Sequence, residues 1–200
     1  MINKIVLASS NKGKLKEFSQ VLGDMAVEVL PQSAFNVSDA EESGLSFVEN
    51  AILKARHAAQ ATGLPALADD SGLEVDALQG APGIYSARFS GDGATDAKNN
   101  ALLLEKLANI PAPQRTARFR CVLAFMRHAN DPTPLICQGT WEGRIVEQPS
   151  GQAGFGYDPL FWIDALGKTS ADLAAKEKNR LSHRGQAVAQ LKQTIAPYLK

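Results

Sequence analysis

Apolar and polar positions in the first part of the chain alternate in blocks typical of strands and helices. The apolar run of residues 5–8 predicts a short buried strand. Leu15, Phe18 and Leu22 recur at helical spacing, so we expect a helix after that strand. Residues 27–30 predict a second strand. The chain therefore begins with a strand, a helix and a strand.

The middle of the chain carries a second helix and further strands. Ser46 and Glu49 have the spacing of a capping box and precede an alanine-rich stretch, which predicts a helix over residues 46–61. Residues 66–68 are typical of a short buried strand. Residues 74–78 alternate like an exposed strand.

The rest of the sequence continues the alternation of helices and strands. It predicts a helix over residues 96–107, strands over residues 117–128, 135–146 and 159–163, and helical sequence from residue 170 to 199 with a break near residues 182–185. The two long strands are joined by a short turn-forming segment, so we expect an antiparallel pair. This order of elements indicates an α/β protein with a mixed sheet and flanking helices.

Composition places the chain among ordinary globular proteins. Its 200 residues are 44% hydrophobic and 21% charged, which suits one domain over residues 1–200, with room for two lobes. The formal net charge of zero argues against a broad surface for nucleic acid or membrane. Apolar runs are far shorter than the ~18 residues of a membrane span, and the N-terminal run is too short for a signal peptide. Cys121 and Cys137 lack metal-ligand spacing, so we expect buried free thiols and a cytoplasmic location.

Two adjacent carboxylates, Asp69 and Asp70, follow the short strand predicted before them. Neighbouring acids repel each other and lose solvation when buried, so we expect them at the end of that strand. There they can hold a divalent cation or activate a water, although Ser71-Gly72 also fits a simple polar turn. Magnesium takes one or two carboxylates, so an acid of the pair Glu41-Glu42 is a candidate to join Asp70; a solvated acidic loop is the alternative.

A loop rich in hydroxyl and lysine groups follows the first strand and opens the first helix. Free N–H groups and the helix dipole favour an anion at such a position. The spacing of a P-loop is absent, and an ordinary capped helix start is the alternative. Lys54 on the alanine-rich helix is a further cationic candidate, although most helical lysines face water. The candidate phosphate ligands in the loop are Ser9, Ser10, Asn11, Lys12, Gly13 and Lys14.

Two later segments carry groups suited to a flat ligand. Glycines on both sides of an aromatic residue let a backbone approach such a ligand, and the aromatic rings nearby can stack on a base. A tight turn with core aromatics is the alternative. Three donors near the break in the last helix can face oxygens of a base or a phosphate. The candidate residues are Phe155, Gly156, Tyr157, Asp158, Lys178, His183 and Arg184.

Seven short motifs follow one another along the chain. They are S-x-N-x-x-K-x-x-E at residues 9–17, E-x-x-G at 41–44, F-x-E-N-A at 47–51, A-D-D-S-G-L at 68–73, G-A-P-G-I-Y-S-A-R at 80–88, G-F-G-Y-D-P at 154–159, and S-H-R at 182–184 after Lys178. Each motif is weak alone, but seven in this order are specific. Together they resemble the inosine triphosphate pyrophosphatase family over essentially the whole chain. Of two adjacent acids, Glu41 is chosen because it fits E-x-x-G.

The resemblance implies both a fold and an activity. It implies an elongated α/β fold with two lobes around a central cleft, and a homodimer. It implies magnesium-dependent cleavage of ITP, dITP and XTP between the α and β phosphates, which yields the monophosphate and pyrophosphate. The biological role would be to remove deaminated purines from the nucleotide pool.

The candidate residues fit this reaction when roles are assigned to them as hypotheses. The loop before the first helix, Lys54 and Ser71 would hold the phosphates of a substrate with about four negative charges. Glu41 and Asp70 would bind magnesium, and Asp70 would also orient or deprotonate the attacking water. Donors from His183, Arg184 or loop N–H groups would satisfy the 6-oxygen of hypoxanthine and leave the amino group of adenine unpaired.

Three other functions compete with this hypothesis. A Maf-like pyrophosphatase for pyrimidine or modified nucleotides shares the broad architecture, and a substrate panel would separate the two. A nucleotide-binding module without catalysis would bind the same ligands without turnover. A haloacid-dehalogenase-type phosphatase would need a D-x-D-x-[TV] motif, which the sequence lacks.

Overall fold

Seven strands form one mixed sheet in the computed structural model, which describes residues 2–199. The strands are β1 (Lys4–Leu7), β2 (Glu28–Pro31), β3 (Ala66–Val75), β4 (Thr116–Met126), β5 (Leu135–Ile145), β6 (Phe161–Ile163) and β7 (Lys168–Thr169). The helices are α1 (Lys12–Gly23), α2 (Phe47–Thr62), α3 (Asp96–Lys106), α4 (Ala175–Leu181) and α5 (His183–Leu199). The predicted α/β class with a mixed sheet and flanking helices is confirmed.

The sheet changes from parallel to antiparallel along its width. Its strand order is β2-β1-β3-β4-β5-β6-β7. β1 runs parallel to both β2 and β3, with Leu7 opposite Leu67. β6 runs antiparallel to β5 and β7. The two long strands predicted to pair, β4 and β5, are neighbours in the sheet.

Contacts divide the chain into two compact units. The first unit contains Met1–Asp70, Cys121–Gln138 and Ala187–Lys200, and the second contains Ser71–Arg120 and Gly139–Gln186. The chain passes from one to the other within β3, β4, β5 and α5. Asp70 and Ser71 are therefore consecutive residues that belong to different units.

The first unit has an apolar core built by the predicted strand–helix–strand segment. Phe18 and Leu22, one turn apart on α1, are fully buried. They belong to one cluster with Ile5 and Leu7 of β1, and Leu191 of α5 joins the same cluster. The helical spacing seen in the sequence therefore marks the face of α1 that packs into the core.

The strand order of the first unit places a particular edge of the sheet at the carboxyl end of β1. The chain goes from β1 to β2 on one side and later returns to β3 on the other side. In open α/β sheets ligands bind outside the carboxyl ends of strands at such a reversal of strand order. The loop of residues 8–11 follows β1 at this edge, and Asp69 follows Leu67 on the parallel neighbour β3.

The second unit has its own apolar core. Leu73 and Val75 of β3 and Leu103 of α3 are fully buried in it. Phe119 and Phe161 pack with ring centroids 4.6 Å apart in the same cluster. This core fixes α3 beside the strands of its unit.

Two predictions for β3 are wrong. The strand does not end before the acids but continues through them to Val75, and Asp69 and Asp70 are only 1% and 8% exposed. Burial is tolerated because each carboxylate pairs with a lysine. The exposed strand predicted over residues 74–78 is also not found, since Val75 ends β3 fully buried and Asp76–Leu78 form a 3₁₀ turn.

The other elements follow the predictions with small differences at their ends. The strand predicted from residue 159 begins only at Phe161, after a 3₁₀ turn over Asp158–Leu160. Helical sequence predicted from residue 170 starts as the 3₁₀ turn Ser170–Asp172, and the predicted break separates α4 from α5 at Ser182. Cys121 and Cys137 are buried, reduced thiols, as predicted. Within residues 2–199, no helix has the length and apolar character needed to cross a bilayer.

Candidate active site

The adjacent acids of β3 pair with two lysines from different helices of the first unit. Successive residues of a strand point to opposite faces, so the two carboxylates meet different partners. Asp69 forms an ion pair with Lys14 of α1. The Asp70 Oδ1 atom lies 2.6 Å from the Nζ atom of Lys54 on α2. Both predicted lysines thus reach the acids, one from the helix that follows β1 and the other from the helix that precedes β3.

Asp69 is held on both of its oxygens. Its Oδ1 atom accepts from Lys14, and its Oδ2 atom accepts from the buried thiol of Cys121 at 3.3 Å. Its side chain is fully buried, whereas that of Lys14 is 20% exposed. Asp69 therefore orients Lys14, a role that the sequence had left open.

Lys54 connects Asp70 to a second carboxylate. Its Nζ atom donates to the Oε1 atom of Glu42 at 3.0 Å as well as to Asp70. Burial alone would lower the pKa of Lys54, but the charges and hydrogen bonds of Asp70 and Glu42 outweigh it, so this pKa is raised. Lys54 is therefore a fixed cation between two acids.

Asp70 has the properties of a buried base with one carboxylate oxygen available to accept a proton. Burial raises its pKa, the charge and hydrogen bond of Lys54 lower it, and the charges of Glu42 and Asp69 raise it, so that the pKa lies above its usual value. Its Oδ2 atom is buried and has no hydrogen-bond partner among residues 2–199. A carboxylate with a raised pKa and one unbonded oxygen suits a general base or a metal ligand.

The structure places Glu42, not Glu41, beside Lys54 and Asp70. Glu41 is exposed, while the side chain of Glu42 is only 26% exposed. The choice of Glu41 from the E-x-x-G spacing is therefore corrected in favour of Glu42 as the acid near Asp70. The physical reason is that only the Glu42 side chain turns inward to the ammonium group of Lys54.

The segment that carries Glu42 is fixed to the start of α2. The amide side chain of Asn50 accepts from Gly44 N at 2.9 Å, and Glu49 accepts from Leu45 N at 3.0 Å. A Cβ atom at Gly44 would lie 2.6 Å from the Cβ atom of Glu49, so only glycine fits there. Of the predicted capping box, one half is present: Ser46 Oγ accepts from Glu49 N at 3.4 Å, while the Glu49 carboxylate accepts from the Ser46 hydroxyl at 2.7 Å. The motifs E-x-x-G and F-x-E-N-A together form this connection between the acidic segment and the start of α2.

The predicted phosphate loop is a capped helix start whose donors are partly occupied. Asn11 is the N-cap of α1 and accepts from Gly13 N at 2.8 Å and Lys14 N at 3.1 Å. Ser9 Oγ accepts from Asn11 N at 3.2 Å. Ser10 Oγ donates to Asp39 at 3.0 Å. The structure thus gives Asn11 a capping role.

Lys12 begins α1, and its side chain lies outside the part of the chain that the structure describes. Its predicted contact with phosphate therefore stays a prediction. The cation that the structure does place at the acids from this loop is Lys14.

The acids of the first unit fit a magnesium ion. Magnesium takes one or two carboxylates and fills its other positions with water and phosphate oxygens. Asp70 offers a buried oxygen without a hydrogen-bond partner among residues 2–199, and Glu42 is bonded to the same Lys54 ammonium group. Within residues 2–199, no group of three or more His, Cys, Asp or Glu side chains forms a closed metal site. This donor set suits an ion that is shared with phosphates rather than one enclosed by protein.

In the second unit, the predicted donors around the helix break lie against different partners. The guanidinium Nη2 atom of Arg184 donates to Ser71 Oγ at 3.2 Å. His183 stacks on Phe119 with ring centroids 4.8 Å apart and planes 16° apart. Because Ser71 follows Asp70 in sequence, Arg184 is bonded to the residue next to the proposed base.

The glycine-rich loop exposes one aromatic ring and is organised by one acid. Phe155 is 62% exposed, and the Nζ atom of Lys178 lies 4.8 Å from its ring centroid. Asp158, 2% exposed, accepts from Phe155 N at 2.8 Å, from Ser170 Oγ at 2.6 Å and from Lys178. Gly154 has φ +83°, and a Cβ there would lie 2.1 Å from Asp158. Asp158 therefore organises the loop from within, and its predicted contact with the base stays a prediction.

Tyr157 does not share the exposure of Phe155. Its ring is 4% exposed in the core of the second unit, and its hydroxyl donates to Ser86 O at 2.8 Å. Burial, and then the charge of Asp96, raise its pKa. Tyr157 is thus a core aromatic in this structure, Phe155 is the exposed ring of the loop, and the contact of either ring with a ligand stays a prediction.

Several residues that shape these sites were missed from the sequence. Asp39 holds Ser10, Asn50 holds Gly44, and Ser170 holds Asp158. Asn50 lies in the F-x-E-N-A motif, so the sequence marked its position but did not show which group it binds. Asp39 and Ser170 carry no spacing pattern, because their partners are 29 and 12 positions away.

Comparison with known proteins gives consistent matches over nearly the whole chain. The model of the Ham1 family matches residues 5–194. A dITP/XTP pyrophosphatase of Shigella flexneri is 58% identical over 187 residues, covering 94% of this chain and 95% of that protein. A dITP/XTP pyrophosphatase of Photobacterium profundum is 58% identical over 190 residues, covering 95% and 96%.

Solved structures give the same result for the fold. A HAM1 protein from Coxiella burnetii has a TM-score of 0.94 and 51% identity, covering 98% of this chain and 100% of that one. The Ham1 protein of Staphylococcus aureus has a TM-score of 0.90 and 41% identity, covering 98% and 99%.

Proposed function

This chain belongs to the Ham1 family, and from that premise we propose that it hydrolyses deaminated purine nucleoside triphosphates to the monophosphate and pyrophosphate. Its substrates would be dITP, XTP and ITP. The observation that carries the chemistry is Asp70, a buried carboxylate with a raised pKa, one oxygen on Lys54 and the other unbonded. The enzyme is a hydrolase that acts on the bond between the α and β phosphates.

Positive charge for the triphosphate comes from two lysines that the fold already holds in place. Lys14 and Lys54 are oriented by Asp69 and by Asp70 with Glu42. Phosphoryl transfer needs positioning and charge neutralisation more than a covalent partner, so fixed ammonium groups suit it. Ser71, whose hydroxyl accepts from Arg184 at 3.2 Å, is the proposed phosphate ligand of the second unit.

Asp70 is the group best placed to take a proton from the attacking water. Its raised pKa brings it closer to neutral pH, where a carboxylate is a more effective base. Its Oδ2 atom is available to accept the proton, while Lys54 keeps Oδ1 in place. The paired lysine and the neighbouring acids thus set both the basicity and the orientation of the carboxylate.

Asp70 and Glu42 are the residues that would hold magnesium. When bound, this ion supplies Lewis-acid polarisation of the phosphoryl oxygens. The two acids have one hydrogen bond each to the same ammonium group, so Lys54 offsets one of their two negative charges and leaves the other for a cation. The inward orientation of Glu42 supports it over Glu41 in this role.

Recognition of the base is assigned to the second unit. Phe155 supplies an exposed ring for stacking, and Lys178 stands over its face with one donor group. His183 and Arg184 are further donors, which suit the 6-oxygen of hypoxanthine or xanthine. Adenine has an amino donor at that position, and leaving it unpaired costs about 1–3 kcal/mol, or ~5- to 150-fold in selectivity.

A panel of triphosphates with magnesium tests the function. We expect ITP, dITP and XTP to give stoichiometric pyrophosphate, with kcat/KM for ATP lower by about tenfold or more. Chromatography of the products separates pyrophosphate from orthophosphate. Turnover confined to pyrimidine or modified nucleotides would favour a Maf-like enzyme, and binding of ITP without turnover would favour a module that only binds nucleotides.

The assembly and location of the protein belong to the same proposal. The family resemblance supports a homodimer, which sedimentation equilibrium would test. Two buried free thiols support a cytoplasmic location, because the cytoplasm keeps thiols reduced.

A further inference from the structure

Gly156, in the loop that exposes Phe155, is held on both sides of its backbone by one helix. Its N–H donates to the Oδ2 atom of Asp96 at 2.7 Å. Its carbonyl accepts from the Nδ2 atom of Asn100 at 2.9 Å. Asp96 and Asn100 are four positions apart on α3, so they lie one turn apart on the same helix face. Both backbone hydrogen-bonding groups of one glycine are thus bound by one pair of side chains.

α3 is itself rigidly fixed within the second unit. Leu103 is fully buried in the core, and Asn99 is 3% exposed. The Asn99 side chain accepts from Ser90 N at 2.9 Å and donates to Ala87 O at 3.1 Å. The hydroxyl of Tyr157, the next residue after Gly156, donates to Ser86 O in the same segment. The clamp on Gly156 therefore rests on an element that does not move freely.

The loop needs such a clamp because its own backbone is permissive. Gly154 and Gly156 flank Phe155 and have φ values of +83° and +61°, in the region that favours glycine. No Cβ atom restrains either residue, so the direction of the Phe155 ring depends on what binds the flanking peptides. Phe155 is 62% exposed and thus gains little from packing. Asp158 binds the peptide on the N-terminal side of Phe155, and the contacts with Gly156 restrain the chain on its C-terminal side.

We propose that Asp96 and Asn100 are positioning residues for base recognition, since their clamp on Gly156 holds the Phe155 ring ready for a purine. The inference rests on the proposed function, because that function makes Phe155 the stacking platform. A loop held in its binding conformation loses less freedom when the ligand arrives, so the clamp contributes to affinity. Its effect should appear in KM rather than in kcat, since neither residue reaches the phosphates in this assignment.

Asp96 has a competing structural role that the test must separate. It is the first residue of α3, where a negative charge stabilises the helix N-terminus. Asp96→Asn keeps an oxygen acceptor for Gly156 N but removes the charge. Asp96→Glu keeps the charge but moves the acceptor by one methylene. If Asp96 positions Gly156, the Glu variant should bind nucleotide less well and the Asn variant should not. If Asp96 only stabilises the helix, the Asn variant should be less stable and the Glu variant should not.

The experiment measures KM and kcat for ITP with magnesium, thermal unfolding, and hydrogen exchange of the Gly156 amide. We expect Asp96→Glu and Asn100→Asp to raise KM for ITP about fivefold to thirtyfold, with kcat changed by less than about threefold. The Gly156 amide should exchange faster in the Asp96→Glu variant. Asp96→Asn should retain both KM and amide protection. Asn100→Ala serves as a second variant if Asn100→Asp fails to fold.

Glu105→Gln is the matched control, because it removes a charge from an exposed position of the same helix. It should leave KM and amide exchange unchanged. Unchanged KM in both Asp96→Glu and the Asn100 variants would overturn the proposal, as would a loss confined to the thermal stability of Asp96→Asn. If the wild-type protein releases no pyrophosphate from ITP, the proposed function fails instead. Amide exchange would then still decide whether Asp96 fixes Gly156.

Discussion

Asp69 and Asp70 are neighbours in sequence with separate tasks. Asp69 has both oxygens occupied, by Lys14 and the Cys121 thiol, and so fixes its surroundings. Asp70 keeps one buried oxygen without a partner among residues 2–199. Their opposite directions follow from the alternation of side chains along β3. One strand position thus supplies a support and the next supplies a reactive group.

Asp70→Asn tests the reactive group. We expect kcat for ITP to fall by roughly 10²–10⁴, the usual contribution of a general base, because the amide cannot take a proton. The fold should persist: the amide oxygen can still accept from Lys54, and burial already disfavours the charged form of Asp70. Steady-state kinetics and thermal unfolding measure the two effects.

Asp92→Asn, at an exposed position, is the control and should behave like the wild type. Near-normal turnover by Asp70→Asn would remove Asp70 from the role of base. A large drop in its melting temperature would show that the carboxylate is needed for the fold instead.

At the level of residues, the sequence predicted which side chains carry the chemistry more accurately than it predicted what those side chains contact. Lys14, Lys54 and Asp70 were found from local patterns, and the structure brings each into an ion pair. Glu42 was missed because two adjacent acids differ only in the direction of their side chains, which no spacing rule determines. The direction of the Tyr157 ring, two positions from Phe155, was not predicted either, and it enters the core.

At the level of elements, β4 and β5 are joined by a turn built on one carboxylate. Asp131 accepts from Arg127 N at 3.0 Å and Thr133 N at 3.0 Å, and its Oδ1 atom lies 2.6 Å from the Nη2 atom of Arg127. These hydrogen bonds hold the pKa of Asp131 well below its usual value, with the guanidinium of Arg127 as the main cause. Asn130-Asp131-Pro132 was recognised as a turn from composition alone, but not as this hydrogen-bonded centre.

The low pKa of Asp131 predicts how the turn contributes to stability as pH changes. The folded-state pKa is below the unfolded value of about 3.9, so the contribution is complete above that value and is lost as pH falls below it. Asp131→Asn should therefore reduce the unfolding free energy by about 2–3 kcal/mol at pH 7 and by less at pH 3. Urea denaturation at several pH values measures both. An equal loss at both pH values would contradict the ionic origin of the effect, and Asp164→Asn on the surface is the control.

The helices and strands show which patterns carry structural information. Elements with a clear period, such as α1 and α2, were predicted within a few residues because their buried faces repeat regularly. The extension of β3 through two acids was not, since charged residues argue against a buried strand unless their partners are known. Those partners come from α1 and α2, which are 55 and 16 positions away. Information of that range is absent from a local pattern.

At the scale of the whole molecule, we expect the fold to form without a metal, whereas the proposed reaction requires one. Both units have apolar cores, and the two buried aspartates each pair with a lysine. Chelation of divalent ions should therefore lower turnover of ITP by about a hundredfold or more, since a metal contributes several kcal/mol to the transition state. The melting temperature should hardly change. Restored activity after magnesium is added back completes the test, and full turnover in excess chelator would refute the metal requirement.

A matched pair of variants locates the metal within the molecule. Glu42→Gln should raise the magnesium concentration needed for half-maximal activity about tenfold or more. Glu41→Gln should not, because the Glu41 side chain is exposed. The reverse result would restore the sequence-based assignment of Glu41.

The lysine–aspartate pairs also have an entropic consequence. A long, flexible side chain that becomes ordered only when ligand binds costs about 0.5–1.5 kcal/mol of affinity. Lys14 and Lys54 are already confined by their carboxylate partners, with side chains 20% and 15% exposed. The entropy cost of fixing these two side chains is met during folding, when the apolar cores form. It does not recur each time a nucleotide binds. The buried carboxylates thus keep the two ammonium groups in position between turnovers.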